Sequence, residues 1–570
     1  MKESDSTDDS LSPVLVWLSV NSSWSHSSLA LPLIHAAALE SGAIAEWQWR
    51  QVSATIDQSP FSSAARVVAD RPRVVAATMY LFNREVVLKV LRRIAGLLPD
   101  CIIIVGGPEL LGDNRLFLES EKGVVHLALR GEGEQSLPRL LGCLDNPGQW
   151  PDVPGLCWLD RAGDYHDNGQ AVVPDDDFLR LPVVTASSFY EFSRPFAAIE
   201  TTRGCTGCCI YCVSGRLGPV RRLSLGQVRE MLDRIEERGG REVRVLDRTF
   251  NEDDRRCLAM LGCFANEYPG MRFHLEIHPA FLSPPVRRAL AAFPAGRLHI
   301  EAGLQTGQEP GLRQSQRAGS ARQAWDGLDY LCGLDNLQTH VDLLVGLPHV
   351  SWAQTMEDLQ KLIELEPTEI QLEVLKVLPG TALREQARQL GVVHAPDPPY
   401  EVLCTPSINA QELRRSRQIS RLVDDFYNQP QLQPAIRSAV RSRGIEFLAS
   451  LLPSLQGADG SYLTRALTSR YRLVHAAATS DAKLGEAKEM LEYQWLRAGH
   501  SPEHGIVPVS LWRASLPSRA RLIEGEATAS EQPGRIWQAR IGRHDHWFVF
   551  VAGRRRRTAA AVYRARTGTA

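Results

Sequence analysis

Two stretches of this chain alternate short apolar runs with amphipathic segments, and the rest does not. Between 13 and 146, apolar runs at 14–20, 74–79, 101–105 and 124–129 read as strands, and 3.6-residue periodicity at 28–40, 84–98 and 134–144 reads as helices. That alternation predicts an α/β fold, a doubly wound (Rossmann-like) domain on a parallel sheet. Residues 1–12 read as a disordered tail, and 147–194, rich in Asp and Pro, as a linker or small subdomain. The alternation returns in a domain spanning 195–394, with strands at 197–201, 243–246, 272–277, 298–304, 339–344 and 369–375. Six strand-helix units predict a partial (β/α)6 barrel, since a closed barrel needs eight. From 395 to 570 the strand signal weakens. Helical periodicity over 409–496 predicts a mainly helical C-terminal domain, followed by β-like runs such as 547–551 and a basic run at 554–557 read as solvated tail.

Composition narrows the class without naming a chemistry. At 570 residues the chain exceeds what one hydrophobic core supports. Lys and Arg (64) nearly cancel Asp and Glu (66), so bulk charge offers no footprint for nucleic acid, and none is expected as a partner. No run reaches the ~20 apolar residues that a membrane helix needs. With an acidic, serine-rich start, the expectation is a cytoplasmic protein with no membrane partner. Eleven cysteines in so long a chain are not a disulfide scaffold. Cys101, Cys143, Cys157, Cys257, Cys263, Cys332 and Cys404 are scattered and read as buried thiols.

The other four cluster in Arg203-Gly204-Cys205-Thr206-Gly207-Cys208-Cys209-Ile210-Tyr211-Cys212. Cys205, Cys209 and Cys212 follow a strand and precede a helix that opens with the capping box Ser224-Leu225-Gly226-Gln227. They therefore sit at the carboxyl end of the first barrel strand, where barrel enzymes keep their chemistry. Three thiolates at this spacing can each hold one iron of a [4Fe-4S] cubane and leave the fourth iron open. The run also parses as two abutting CxxC pairs, which would suit zinc or a redox disulfide, although structural zinc takes its pairs from separated loops. Cys208 is read as a non-ligand.

In the N-terminal domain, ligands are expected at the strand ends. These ends are 19–25, with Asn21 and Ser22; 78–82, with Thr78; 106–109, with Gly106 and Gly107; and 130–134, with Glu132 and Gly133. The glycines either let a bulky ligand approach the backbone or only make tight turns.

The stretch 200–212 resembles the signature of radical S-adenosylmethionine (SAM) enzymes, with Tyr211 before the third cysteine. The resemblance implies that Cys205, Cys209 and Cys212 are the catalytic metal ligands of a [4Fe-4S] cluster whose open iron chelates SAM. The cluster then cleaves SAM to a 5′-deoxyadenosyl radical. Three later segments resemble the family's barrel strands: Glu301-Ala302-Gly303-Leu304-Gln305, whose Glu301 and Gln305 would face SAM; the run 342–348, whose Asp342 would lie near the adenine; and 375–381 with its Pro-Gly-Thr exit. Where many members carry Gly-Gly-Glu for the SAM amine, this chain reads Leu246-Asp247-Arg248-Thr249-Phe250-Asn251. Asp247 and Asn251 are the candidates for that contact, and Glu276 and His278 are further polar residues of the barrel.

A doubly wound domain ahead of such a barrel resembles the cobalamin (B12)-binding radical SAM proteins. The runs 17–31 and 247–251 are similar to a subgroup with a C-terminal domain of unknown function (DUF4080-like). The chain lacks the Asp-x-His-x-x-Gly segment that ligates cobalt in mutase-type domains, and His26 has neither flanking residue. The resemblance therefore implies cobalamin held without a histidine ligand, by Asn21, Ser22, Thr78, Gly106, Gly107, Glu132 and Gly133. It further implies a methyltransferase acting on an unactivated carbon, supplied with electrons by a flavodoxin- or ferredoxin-type donor. The alternatives are a cobalamin-dependent cyclase, rearrangement or oxidative enzyme without methyl transfer, and a non-catalytic iron-sulfur binding or sensing protein. The substrate, a small molecule or a peptide, is not readable.

Overall fold

The computed structural model describes residues 12–42, 46–216, 219–457, 461–500, 506–507, 516, 520–525, 533–551 and 558–565. The tail expected at 1–12, apart from its last residue, and the basic run at 554–557 lie outside these. The chain falls into two compact units. One holds the chain up to Gln338 with Gly346–Val350 and Leu375–Asn409; the other holds Thr339–Val345, Ser351–Val374 and the chain from Ala410.

The first unit begins with a sheet of seven strands, β1 (Val14–Asn21), β2 (Gln48–Thr55), β3 (Val74–Thr78), β4 (Ile102–Gly106), β5 (Leu127–Leu129), β6 (Leu156–Leu159) and β7 (Tyr165–Asp167), in the order β2-β1-β3-β4-β5-β6-β7. The first five are parallel. Successive residues of β1 serve opposite cores: Val16, Leu18 and Val20 face one layer of helices, Leu15 and Trp17 the other. A doubly wound sheet needs this two-sided burial. β2 has no apolar run because it is an edge strand with a half-exposed pattern, Gln-Trp-Arg-Gln-Val-Ser-Ala-Thr. The stretch after 147 adds β6 and β7 to the sheet as antiparallel strands.

The six barrel strands fall where the apolar runs placed them: β8 (Ala197–Ile199), then, after the short antiparallel pair β9 (Thr202–Arg203) and β10 (Arg221–Arg222), β11 (Glu242–Val245), β12 (Arg272–Ile277), β13 (Leu298–Gln305), β14 (Leu337–Val345) and β15 (Glu369–Val374). Parallel ladders join β8, β11, β12 and β13 in that order, and β14 to β15. Helix starts reuse one device. Ser224 with Gln227, Ser320 with Gln323 and Ser351 with Gln354 form reciprocal capping boxes that satisfy otherwise orphaned N–H groups.

In the second unit, the helix Ala410–Leu422 packs on β15, and the helices Gln433–Arg443, Leu467–Thr479 and Gly485–Arg497 pack on one another. Asn428 supplies both amide atoms to Ile370, accepting from its N–H at 3.0 Å and donating to its carbonyl at 2.8 Å, as a neighbouring strand would. The strands β16 (Val393–His394) and β17 (Val402–Cys404) belong to the first unit. Among the described residues, the chain after 520 is not helical. β18 (Ala520–Gly525), β19 (Pro533–Ile541), β20 (His544–Val551) and β21 (Ala561–Ala565) form an antiparallel sheet in the order β18-β21-β20-β19. No helix of the described residues is long and apolar enough to cross a membrane.

Candidate active site

Gly204, at φ +95°, turns the chain out of β9 into the cysteine loop. Two backbone bonds then pin the loop: the Ile210 N–H donates to the Ser315 carbonyl at 3.0 Å, and the Leu383 N–H donates to the Ile210 carbonyl at 2.8 Å. Around Gly207 the thiols of Cys205 and Cys209 converge, since a Cβ on this glycine would lie 3.4 Å from one sulfur and 3.9 Å from the other. The Gly207 N–H donates to Cys205 Sγ at 3.3 Å, and Thr249 Oγ1 lies 3.6 Å from the same sulfur. Cys205, Cys209 and Cys212 are half-buried, whereas Cys208 is exposed. Of the four, Cys208 is turned to solvent, as a non-ligand would be.

The sequence reading missed Arg317. Its half-buried guanidinium reaches Cys209 Sγ at 3.9 Å and donates to the Gly303 carbonyl. Burial pushes the Cys209 thiol up, and the Arg317 charge opposes that shift. Gly303 makes room: a Cβ there would sit 2.5 Å from Gln305 Nε2 and 3.3 Å from Arg317 Nη2. Gln305, in the left-handed region at φ +67°, therefore folds back beside Arg317. No motif marks Arg317, which lies 108 positions beyond Cys209.

Asp247 and Asn251, expected at the SAM amine, brace the fold instead. Asp247 is fully buried; its carboxylate accepts from the N–H groups of Thr201 (2.7 Å) and Thr202 (2.8 Å) and from Thr201 Oγ1 (2.5 Å). Asn251 donates to the carbonyls of His278 (3.0 Å) and Phe281 (3.1 Å) and accepts from the His278 N–H (2.8 Å). Both side chains spend their capacity on loops around the barrel mouth.

Glu276 and Glu301 are register partners on β12 and β13 and so lie side by side. His274 Nε2 is 2.9 Å from Glu301, and Arg248 Nη1 is 3.9 Å from Glu276. Burial pushes Glu276 up to about 7, with Glu301 adding to the rise and Arg248 opposing it. His278, pushed by burial down to about 3, is neutral and accepts from the Ala280 N–H. Asp342 lies on β14, in the second unit, 3.3 Å from His340 Nε2.

A cavity of about 270 Å³ opens where the carboxyl ends of β3, β4 and β5 meet the start of the cysteine loop. Thr78, Gly106, Gly107, Glu132 and Gly133 line it from the N-terminal domain, and Glu200, Arg203, Gly204 and Ser214 from the barrel. Asn21 and Ser22, expected as contacts, are absent from its wall. Asn83 donates to the carbonyls of Val20 and Thr78 at the ends of β1 and β3, and the chain past Asn21 leaves with Asn21 buried and Ser22 exposed. The glycines do both jobs that the sequence left open. A Cβ at Gly107 would lie 2.6 Å from the Met79 carbonyl oxygen, so packing demands that glycine, and it still faces the cavity.

On one side the cavity runs down to Trp17, Ala30, Leu33, Ile34, Ile104 and Leu137, an apolar slot. Trp17 is buried, and its Nε1–H has no hydrogen-bond partner. A buried donor left unpaired costs about 1–3 kcal/mol. No histidine is among the described residues of the wall. His26 stays outside, held by Ser23 (2.8 Å) and Ser25 (3.1 Å). Glu132 is not free for a ligand, because Arg221 grips both its oxygens at 2.7 and 2.6 Å.

A cysteine loop of cubane spacing at the first strand of a six-unit barrel, behind a doubly wound domain, defines a radical SAM architecture. Comparison agrees. Residues 199–362 match the radical SAM superfamily and residues 388–503 a protein family of unknown function, DUF4080. Residues 199–362 thus form a radical SAM domain, and a DUF4080 region follows it in the chain. The hopanoid C-3 methylase of Methylococcus capsulatus is 32% identical over 177 residues, which is 30% of this chain and 33% of that protein. The chain thus spans about a third of the length of that curated relative. The fold is similar to the methyltransferase TsrM of Kitasatospora setae, solved with cobalamin and a [4Fe-4S] cluster (TM-score 0.53, 17% identity, covering 67% of this chain and 76% of that one). It is also similar to OxsB, solved with aqua-cobalamin and SAM (TM-score 0.58, 14% identity, covering 86% and 74%). At these identities the likeness is one of fold.

Proposed function

We propose that this protein is a cobalamin-dependent radical SAM methyltransferase acting on an unactivated carbon. The observation that carries the reading is the single cavity joining the strand ends of the doubly wound domain to the cysteine loop. The bound groups would supply one-electron cleavage of SAM and a methyl group carried on cobalt.

The chain's own residues do the holding. Cys205, Cys209 and Cys212 ligate the cluster, with the charge of Arg317 beside Cys209 favouring its thiolate. Thr78, Gly106, Gly107 and Gly133 present small surfaces and backbone to a large flat ligand. Trp17 Nε1–H offers a hydrogen bond at the bottom of the slot, and a wall without histidine fits cobalt that takes no imidazole from the protein. Glu276, Glu301 and Gln305 are the polar groups assigned to SAM, and Asp342 remains assigned to the adenine side. The substrate, small molecule or peptide, must reach the same seam so that it lies in line with both cofactors. We place the protein in the cytoplasm, with a flavodoxin- or ferredoxin-type electron donor.

Anaerobic reconstitution with iron, sulfide, cobalamin, SAM and reductant tests the reading. It expects a cobalamin absorption spectrum that stays with the protein on gel filtration, together with 5′-deoxyadenosine and S-adenosylhomocysteine. Free cobalamin overturns the cofactor assignment. 5′-Deoxyadenosine without S-adenosylhomocysteine overturns methyl transfer and leaves a cyclase or rearrangement enzyme.

A further inference from the structure

Arg203 stands two residues before Cys205 and is buried among three carboxylates. Its guanidinium lies 2.7 Å from Glu200 on its own strand connection, 2.8 Å from Glu134 and 3.6 Å from Glu132. The last two flank Gly133 on the loop that leaves β5, in the N-terminal domain. Arg221, the register partner of Arg203 across β9 and β10, holds Glu132 with two bonds and also donates to the Val173 carbonyl at 2.7 Å. Both guanidinium groups lie 5.2 Å from the Phe178 ring, which shields them from water. Three carboxylates and two guanidinium groups thus form one buried network.

The network is also a wall. Glu132, Glu134, Glu200 and Arg203 all line the cavity, and Gly204, the left-handed hinge of the cysteine loop, is the next residue. A ligand that fills the cavity must press on the carboxylates that grip Arg203. Any shift reaches Cys205 through one flexible residue. Breaking one contact of a buried ion network is costly, so the contacts move together.

The geometry points to Arg203 as a positioning residue that couples corrinoid binding in the cavity to the state of the iron-sulfur cluster on the cysteine loop. The inference rests on the proposed function for the identity of the two groups. It adds that their binding is linked through this arginine, and linkage is reciprocal: cobalamin must change the reduction of the cluster by the factor by which reduction changes cobalamin affinity.

The test uses the full chain, reconstituted with its cluster, with and without cobalamin. The cluster potential is read by electron paramagnetic resonance during a redox titration, and amide exchange is followed in the peptide 200–216. The expected result is a tenfold change in the reduction equilibrium on adding cobalamin, which is 59 mV for one electron, with slower exchange in that peptide. In Arg203→Lys, and in Glu132→Gln on the opposite side of the seam, both cofactors bind but the shift falls below threefold and the exchange response is lost. If Arg203→Lys fails to hold a cluster, Glu132→Gln decides. A wild-type protein that binds both groups with no shift, or variants that keep the full shift, overturns the coupling. Failure to bind cobalamin at all overturns the proposed function instead.

Discussion

The guanidinium of Arg317 lies 3.9 Å from Sγ of Cys209, a cation placed against a thiol that burial would otherwise keep protonated. Both the thiolate and a reduced, more negative cluster gain from that charge. Arg317→Gln should therefore lower the cluster's reduction potential and weaken iron retention. A charge-assisted contact of about 1.5–3 kcal/mol corresponds to roughly tenfold or more in either equilibrium. Redox titration and iron analysis after gel filtration check it; an unchanged potential would mean that the guanidinium only braces Gly303.

Trp17→Phe keeps an aromatic side chain but removes the unpaired Nε1–H together with one ring of the buried indole. Cobalamin affinity should fall by about three- to tenfold, the value of one hydrogen bond, with thermal stability lowered because the smaller phenyl ring leaves a void in the core. Equilibrium dialysis and a melting curve measure the two effects separately.

Asp247→Ala should leave the N–H groups of Thr201 and Thr202 without their buried acceptor. The expected loss is about 3 kcal/mol or more, read by chemical denaturation. Asp247→Asn should recover only part of it, because an amide offers one acceptor oxygen where the carboxylate uses two. A SAM ligand would show the opposite pattern, with stability kept and SAM affinity lost.

Glu276 titrates near 7 in the folded chain against an ordinary value of 4.5. The folded state therefore binds the extra proton between these values. Its stability contribution is fully present below about pH 4.5, is lost as the pH rises through about 7, and is flat above. Glu276→Gln should remove that slope, so the mutant gains on wild type by up to about 3 kcal/mol between pH 5 and 8. Denaturation at the two pH values checks the difference, and a pH-independent difference would mean that Glu276 is already ionised at pH 5.

The first sheet's central strands were legible because strands buried on both faces carry unbroken apolar runs, and most barrel strands because apolar and polar residues alternate along them, as in Arg272–Ile277 and Glu369–Val374. β2 was not, because an edge strand with Gln48, Arg50 and Gln51 can be polar on its open side. Of the sheet formed by β18 to β21, the β-like run at 547–551 marked β20, but its pairing with the other three strands was not legible. Among site residues, the cysteines announced themselves by spacing alone. Asp247 and Asn251 were misjudged because a polar residue at a strand end reads alike in sequence whether it faces a ligand or a backbone loop.

The sequence by itself determined the cysteine spacing, the order of the two α/β folds and the glycine-rich strand ends, since each depends on neighbours a few residues apart. Only the tertiary structure decided that Asn21 and Ser22 leave the cavity and that Trp17, with its indole N–H unpaired, lines it. The structure alone also brings Arg317 to Cys209, and Arg203 to Glu132 and Glu134. These relationships join residues up to 108 positions apart. They depend on which face of a strand or loop each side chain takes once both cores are packed, a choice that no local pattern records.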